Sequence, residues 1–228
     1  MSSHPGSPKS RPTEPRRLGL YGGSFDPVHT GHLAVAGRAR EAFALDGIWF
    51  LPAAIPPHKL DQRLTGGRDR VCMLELALAD LPCARVNALE LSREGPSYTY
   101  DTVAEIARER PPGGSIHLIL GGDNLPGLPG WHRAAELLDL VEPIVVRREG
   151  DGQDPVGSIS NRLAPEHLEK LRRGYMDLPP VPGRASHIRE ALRKGDPDAD
   201  RNLSGGVLEY IRRRGLYGLA SGAQGDRP

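Results

Sequence analysis

Short apolar runs alternate along the chain with longer segments whose apolar residues recur at helical spacing. Runs at 17–21, 48–51, 84–91, 116–120 and 144–146 read as strands, and the clearest of them, 116–120, is apolar but for His117. Between them, 33–45 sets Leu33, Ala36, Ala39 and Phe43 near helical spacing, and 67–80 repeats through Val71, Leu74 and Leu78. Further helices are predicted at 99–108, 134–140 and 166–173. Ser186 is placed to cap a helix running to 194, and a last helix over 207–214 turns Val207, Leu208 and Ile211 inward. This alternation predicts an α/β fold, a doubly wound parallel sheet with right-handed crossovers. Ligands of such sheets sit beyond the C-terminal ends of the strands.

Four stretches fall outside the pattern. Residues 1–16, rich in Pro and Ser, are expected to form a disordered basic tail, and 219–228 a frayed one. Residues 147–162 read as a surface excursion, and 178–183 holds three prolines. The remainder, 17–218, is read as a single domain, a size that allows a substantial core within 228 residues.

Composition narrows the function by exclusion. A net charge of +1 gives no electrostatic case for nucleic acid or membrane. Lys9, Arg11, Arg16 and Arg17 face only Glu14 in the N-terminal stretch, which leaves the body mildly acidic. No stretch approaches the roughly 18 apolar residues of a membrane span, and the N-terminus lacks the apolar core of a secretory signal. Cys72 and Cys83, without a CxxC pair, suggest neither a disulfide framework nor a zinc cluster and read as small core residues. The cytoplasm is the expected location.

The chemistry concentrates in Gly22-Gly23-Ser24-Phe25-Asp26-Pro27-Val28-His29-Thr30-Gly31-His32, at a strand-to-helix junction. Adjacent glycines let backbone N–H groups approach an anion, and the positive end of the next helix faces the same point. His29 and His32 add protonatable donors beside this phosphate cradle. Such a site suits phosphoryl or nucleotidyl transfer. The stretch is neither a Walker loop nor the dinucleotide GxGxxG.

The order GGSFDPVHTGHL resembles the first motif of the bacterial nicotinate-mononucleotide adenylyltransferases, within the HxGH nucleotidylyltransferase superfamily. That resemblance implies a Rossmann-like nucleotidylyltransferase fold, with Gly22, Gly23, Ser24, Phe25 and His32 on ATP and Ser24 also on the mononucleotide. Pro56-Pro57-His58-Lys59 is similar to the family's phosphate-closing loop, which brings His58 and Lys59 to the mononucleotide. The run from Glu90 to Thr102 resembles the family's EL-x-R-x-G-x-S-Y-T-x-D-T stretch, and Tyr98 and Thr99 there would meet the nicotinate carboxylate. Ser97 or Thr99 can also cap the following helix. Gly121-Gly122-Asp123-Asn124 is similar to the family's G-A-D-N segment, with Asp123 suited to ribose hydroxyls; Trp131, beside His132, offers a flat face to a pyridine ring.

The family's Ile-Ser-Ser-Thr-x-Ile-Arg stands here as Gly183-Arg184-Ala185-Ser186-His187-Ile188-Arg189, which keeps a hydroxyl at Ser186 and the Ile-Arg pair. Its later Leu-Val-Pro-Pro has become Leu203-Ser204-Gly205-Gly206.

The resemblance implies attack of the nicotinate mononucleotide phosphate on the α-phosphorus of ATP, giving nicotinate adenine dinucleotide and pyrophosphate. His29, His32, Lys59 and Arg189 would be the catalytic residues, and Gly121, Asp123 and Ser186 further ATP contacts. Mg²⁺ is implied by the ATP chemistry and would be held chiefly by the phosphates, with no metal-ligand cluster expected from the protein. Two alternatives stay open: transfer to nicotinamide mononucleotide or phosphopantetheine, and a nucleotide-binding module of weakened catalysis.

Overall fold

The structure, a computed structural model, describes residues 14–54, 64–93, 95–147, 156–177 and 183–219. His58 and Lys59 lie outside them. Strand β1 (Arg17–Gly23) leads to helix α1 (Thr30–Ala42), and β2 (Gly47–Pro52) to α2 (Gly67–Leu78). Next come β3 (Ala84–Val86), α3 (Thr99–Arg108), β4 (Ser115–Gly121), α4 (Ala134–Leu140), β5 (Glu142–Arg147) and α5 (Pro165–Arg173). The chain closes with β6 (Tyr175–Asp177), α6 (Ala185–Lys194), α7 (Asp198–Arg201) and α8 (Gly205–Arg214). Among the described residues six strands form one sheet in the order β3-β2-β1-β4-β5-β6, every pairing parallel. The doubly wound expectation holds.

Alternation along the strands divides the core into two layers, because successive side chains leave opposite faces. Leu18 and Leu20 of β1 join Leu118 and Leu120 of β4 against α3, α4 and α5. Tyr21, Phe50 and Ile119 face the other way, onto α1, α2, α6 and α8. Strand order reverses between β1 and β4, where pairing stops at Tyr21–Ile119 while β1 stays paired with β2 to Gly23–Pro52. That switch point opens a crevice at the C-terminal edge.

Several local expectations are corrected. The strand predicted over 84–91 ends at Val86, and Leu89–Ser92 instead forms a 3₁₀ turn. Asn87 ends the ladder by donating to the Phe50 carbonyl at 2.9 Å, and its Oδ1 accepts the Leu89 N–H at 3.0 Å. Helix α1 starts at Thr30 rather than Leu33. Tyr98 and Arg184 occupy the N-caps of α3 and α6, so Ser97, Thr99 and Ser186 are not the caps. The apolar pattern does not predict strand β6, whose three residues are too few to show a period. Val156 and Ile159 are buried in the second core layer, so the end of the 147–162 stretch is drawn inward rather than lying on the surface. Cys72 and Cys83 are half-exposed, not core.

Candidate active site

The loop between β1 and α1 is packed into the core rather than draped over it. Phe25 and Val28 are each 1% exposed, so any contribution of Phe25 to a ligand comes from its backbone. Gly22, by contrast, is exposed, and a Cβ there would meet nothing within 4 Å. A ligand can therefore come close to the backbone of that residue.

His29 and His32 meet face to face at the start of α1, their ring centroids 3.7 Å apart and tilted by 33°. The His29 N–H donates to His32 Nδ1 at 3.2 Å. An accepting Nδ1 carries no proton, so this bond leaves a neutral His32 with its proton on Nε2. Phe25 and Tyr21 set their rings edgewise to His32, at 5.0 and 6.1 Å. The imidazole thus stands in a fixed orientation as an N–H donor.

Four distant elements grip the same loop. From α6, Arg189 Nη1 donates to the Asp26 carbonyl at 2.7 Å. From α2, Arg70 Nη1 donates to the Ser24 carbonyl at 2.8 Å and its Nε to that of Thr65 at 2.9 Å. The Asn202 carbonyl, at the end of α7, receives the Thr30 N–H at 2.9 Å, and Tyr217, beyond α8, donates to Asp26 Oδ1 at 2.6 Å. Burial pulls the Arg70 guanidinium below its ordinary value, and the neighbouring Asp26 and Tyr217 oppose that. The structure thus brings His29, His32 and Arg189 around one loop although 157 residues separate the last two. Ser186 is exposed on the first turn of α6, one turn from Arg189.

A second group lies beyond β3 and β4. Tyr98 is exposed and stacks on His132 at 4.6 Å, while Arg133 lies over the Tyr100 ring at 4.0 Å. Half-buried Trp131 packs on the second core layer. Exposed Asp123 follows β4, where its Oδ1 accepts from Asn124 Nδ2 at 3.2 Å. Thr99 opens α3, half-buried.

Underneath Tyr98 the chain is held by buried polar contacts. Thr102 Oγ1 donates to Glu90 Oε1 at 3.0 Å and accepts from Arg93 Nη1 at 2.7 Å, and Arg93 also pairs with Glu105. Burial pushes the Glu90 carboxyl up, against the pull of Thr102 and Arg93. A cavity of about 250 Å³, lined in part by Arg110, Ser115, Asp139 and Glu142, lies at the opposite edge of the sheet and includes none of the expected site residues.

A family model described as cytidylyltransferase-like matches residues 20–193. The nicotinate-nucleotide adenylyltransferase of Bacillus subtilis is 35% identical over 203 residues, covering 89% of this chain and 98% of that one. The chain belongs to the nicotinate-nucleotide adenylyltransferase family. Among solved structures, the Plasmodium falciparum nicotinic acid mononucleotide adenylyltransferase complexed with NaAD superposes with a TM-score of 0.71 at 20% identity, over 90% of this chain and 98% of that one. At that identity the likeness speaks for the fold.

Within this adenylyltransferase architecture, sequence reasoning missed Asp26, Thr65, Arg70, Asn202 and Tyr217. Arg70 left a readable trace: it sits four residues before Leu74, on the inward side of α2, where an arginine needs buried acceptors. Asp26 lies inside the first motif, but nothing in the sequence shows that its side chain is buried and accepts from residues far along the chain. Nothing local marks Asn202 or Tyr217, whose partners are 172 and 191 residues away.

Proposed function

We infer that this protein transfers the adenylyl group of ATP to nicotinate mononucleotide, releasing pyrophosphate and forming nicotinate adenine dinucleotide for NAD synthesis. The observation that carries the reading is the gathering of His29, His32 and Arg189 around one buried loop at the β1–β4 switch point. A mononucleotide phosphate oxygen attacks the α-phosphorus of ATP and pyrophosphate leaves with the electron pair of the broken P–O bond, so no protein nucleophile is required. Catalysis is then positioning and charge stabilisation.

In this reading the His32 Nε2–H and His29 donate to the phosphate oxygens, and Arg189 and Lys59 supply positive charge. Gly22, Gly23, Ser24, Phe25, Gly121, Asp123 and Ser186 contact ATP, largely through backbone and hydroxyl groups. Tyr98 and His132, already stacked on each other, together with Thr99, Trp131, His58 and Asp123, receive the mononucleotide. The mixed character of that second group suits a flat pyridine ring with an attached phosphate.

Among the described residues no three His, Cys, Asp or Glu side chains come together as a metal-holding cluster. The residues therefore do not fit a protein-built Mg²⁺ cage, and the ion is proposed as the companion of the ATP phosphates, with no step assigned to it. Among the described residues no helix is long and apolar enough to cross a membrane. We place the reaction in the cytoplasm, where ATP is supplied, with small molecules as partners.

The test is pyrophosphate release from ATP with nicotinate mononucleotide, nicotinamide mononucleotide and phosphopantetheine in parallel. Turnover is expected with nicotinate mononucleotide foremost. Preference for phosphopantetheine, or binding of ATP with no turnover on any acceptor, would overturn the reading.

A further inference from the structure

Asp26 is 3% exposed, yet its polar atoms are claimed from three directions. Arg189 Nη1 donates to its carbonyl at 2.7 Å, the Thr65 N–H to Oδ2 at 3.2 Å, and the Tyr217 hydroxyl to Oδ1 at 2.6 Å. Thr65 stands just before α2, and Tyr217 in the turn Leu216–Gly218 that follows α8. The one residue thus ties the histidine loop to the start of α2, to the arginine of α6 and to the C-terminal turn.

Tyr217 adopts φ 60°, ψ 28°, a left-handed conformation that is unfavourable for a residue with a Cβ. Such a conformation persists only where its surroundings over-determine it. Half-buried Tyr217 packs on the same core layer as Phe25 and Val28. The charged groups acting on its hydroxyl are Asp26, Arg189 and Arg70. Burial and the Asp26 carboxylate push the phenol far above its ordinary value, so it remains a donor throughout the working pH range.

We propose that Tyr217 is a positioning residue for adenylyl transfer: through Asp26 it fixes the loop that carries His29 and His32 and keeps the Asp26 carbonyl in place for Arg189. The proposal rests on the adenylyl-transfer reading for its kinetic consequence and on geometry alone for its structural one. Losing the hydroxyl leaves Oδ1 of a buried carboxylate without that donor. The loop then shifts to find another, carrying the imidazole three residues downstream with it. A displacement near 1 Å at a reacting centre costs on the order of a hundredfold in rate.

The experiment compares the full-length wild type with Tyr217→Phe, which keeps the ring and its packing. Expected is a fall in kcat of about tenfold to a hundredfold, with KM for ATP and nicotinate mononucleotide changed by less than about threefold. Without any substrate, the ring resonances of His29 and His32 in histidine-labelled protein are expected to shift in the variant. A merely structural role predicts a lowered melting temperature with normal kcat per folded molecule and unmoved imidazole resonances; that result overturns the proposal. Should Tyr217→Phe fail to fold, Asp26→Asn, which weakens the charge-assisted bond at the other end, is judged by the same two readouts. A wild type with no turnover on any acceptor sinks the adenylyl-transfer reading, while the imidazole resonances still decide whether Tyr217 positions the loop.

Discussion

His32 does two jobs with its two nitrogens. Nδ1 accepts the His29 N–H and closes the first turn of α1, which assigns the remaining proton to Nε2. A donor held this way costs little reorganisation when charge develops on a phosphate oxygen. Replacing His32 by Ala removes both functions, and the two losses differ in size. The cap is worth about 1 kcal/mol of stability, whereas losing a transition-state donor costs about a hundredfold or more in kcat. We therefore expect His32→Ala to melt only a few degrees lower while its turnover falls by that larger factor, measured as pyrophosphate release at saturating substrates. His29, His32 and Arg189 were legible in the sequence because imidazoles and guanidinium carry phosphate chemistry wherever they stand. Asp26 and Tyr217 were not, since what they do depends on a contact 191 residues long.

At the scale of elements, helices declared themselves better than strand ends. The expected bounds of α3 and α4, 99–108 and 134–140, are those the structure has. The third strand was over-extended because Leu89 and Leu91 look like a continuing apolar run, whereas Leu91 N–H bonds back to the Ala88 carbonyl at 2.9 Å. Strand β4 contains a residue that the pattern could only flag as odd. His117 is 4% exposed in the run of β4, with Nε2 3.1 Å from Ser115 Oγ. Burial lowers its pKa, Arg17 lowers it further and Glu142 opposes. The unfolded chain then binds the proton more readily than the folded one. The stabilisation is present above the ordinary histidine value, about 6.5, and is lost as pH falls from there through the folded value. In that window His117 contributes a slope of up to about 1.4 kcal/mol per pH unit. Urea midpoints of the wild type are expected to fall more steeply below neutrality than those of His117→Gln, and parallel curves would refute the assignment.

Considered whole, the molecule wraps its C-terminal third back onto its first loop. Phe25 and Val28 share a core layer with Ile188 and Leu192 of α6 and with Val207, Leu208 and Ile211 of α8. Hydrogen bonds from Arg189 and Tyr217, and one to the Asn202 carbonyl, run between the same parts, and Arg70 of α2 adds a bond to the loop from elsewhere. The sequence resemblance implies that Arg189 meets the histidine loop, but the parts played by Asn202, Tyr217 and the α8 face in holding that loop have no local signal in the sequence. The wrapping bears on how the site is lost. Sites built on surface loops often open at a cost well below that of global unfolding. Here the loop cannot leave without stripping apolar side chains from the centre of one core layer, so opening and global unfolding should be one event. The chain offers reporters at two places: buried Trp49 in β2, under the Arg85 guanidinium at 3.7 Å, and half-buried Trp131 beyond β4. In a urea series, tryptophan fluorescence, far-UV circular dichroism and the rate of adenylyl transfer are expected to fall along one curve with one midpoint. If the rate disappears at a urea concentration where both spectra remain native, the histidine loop opens by itself, and the long-range bonds that reach it do not bind its stability to that of the core.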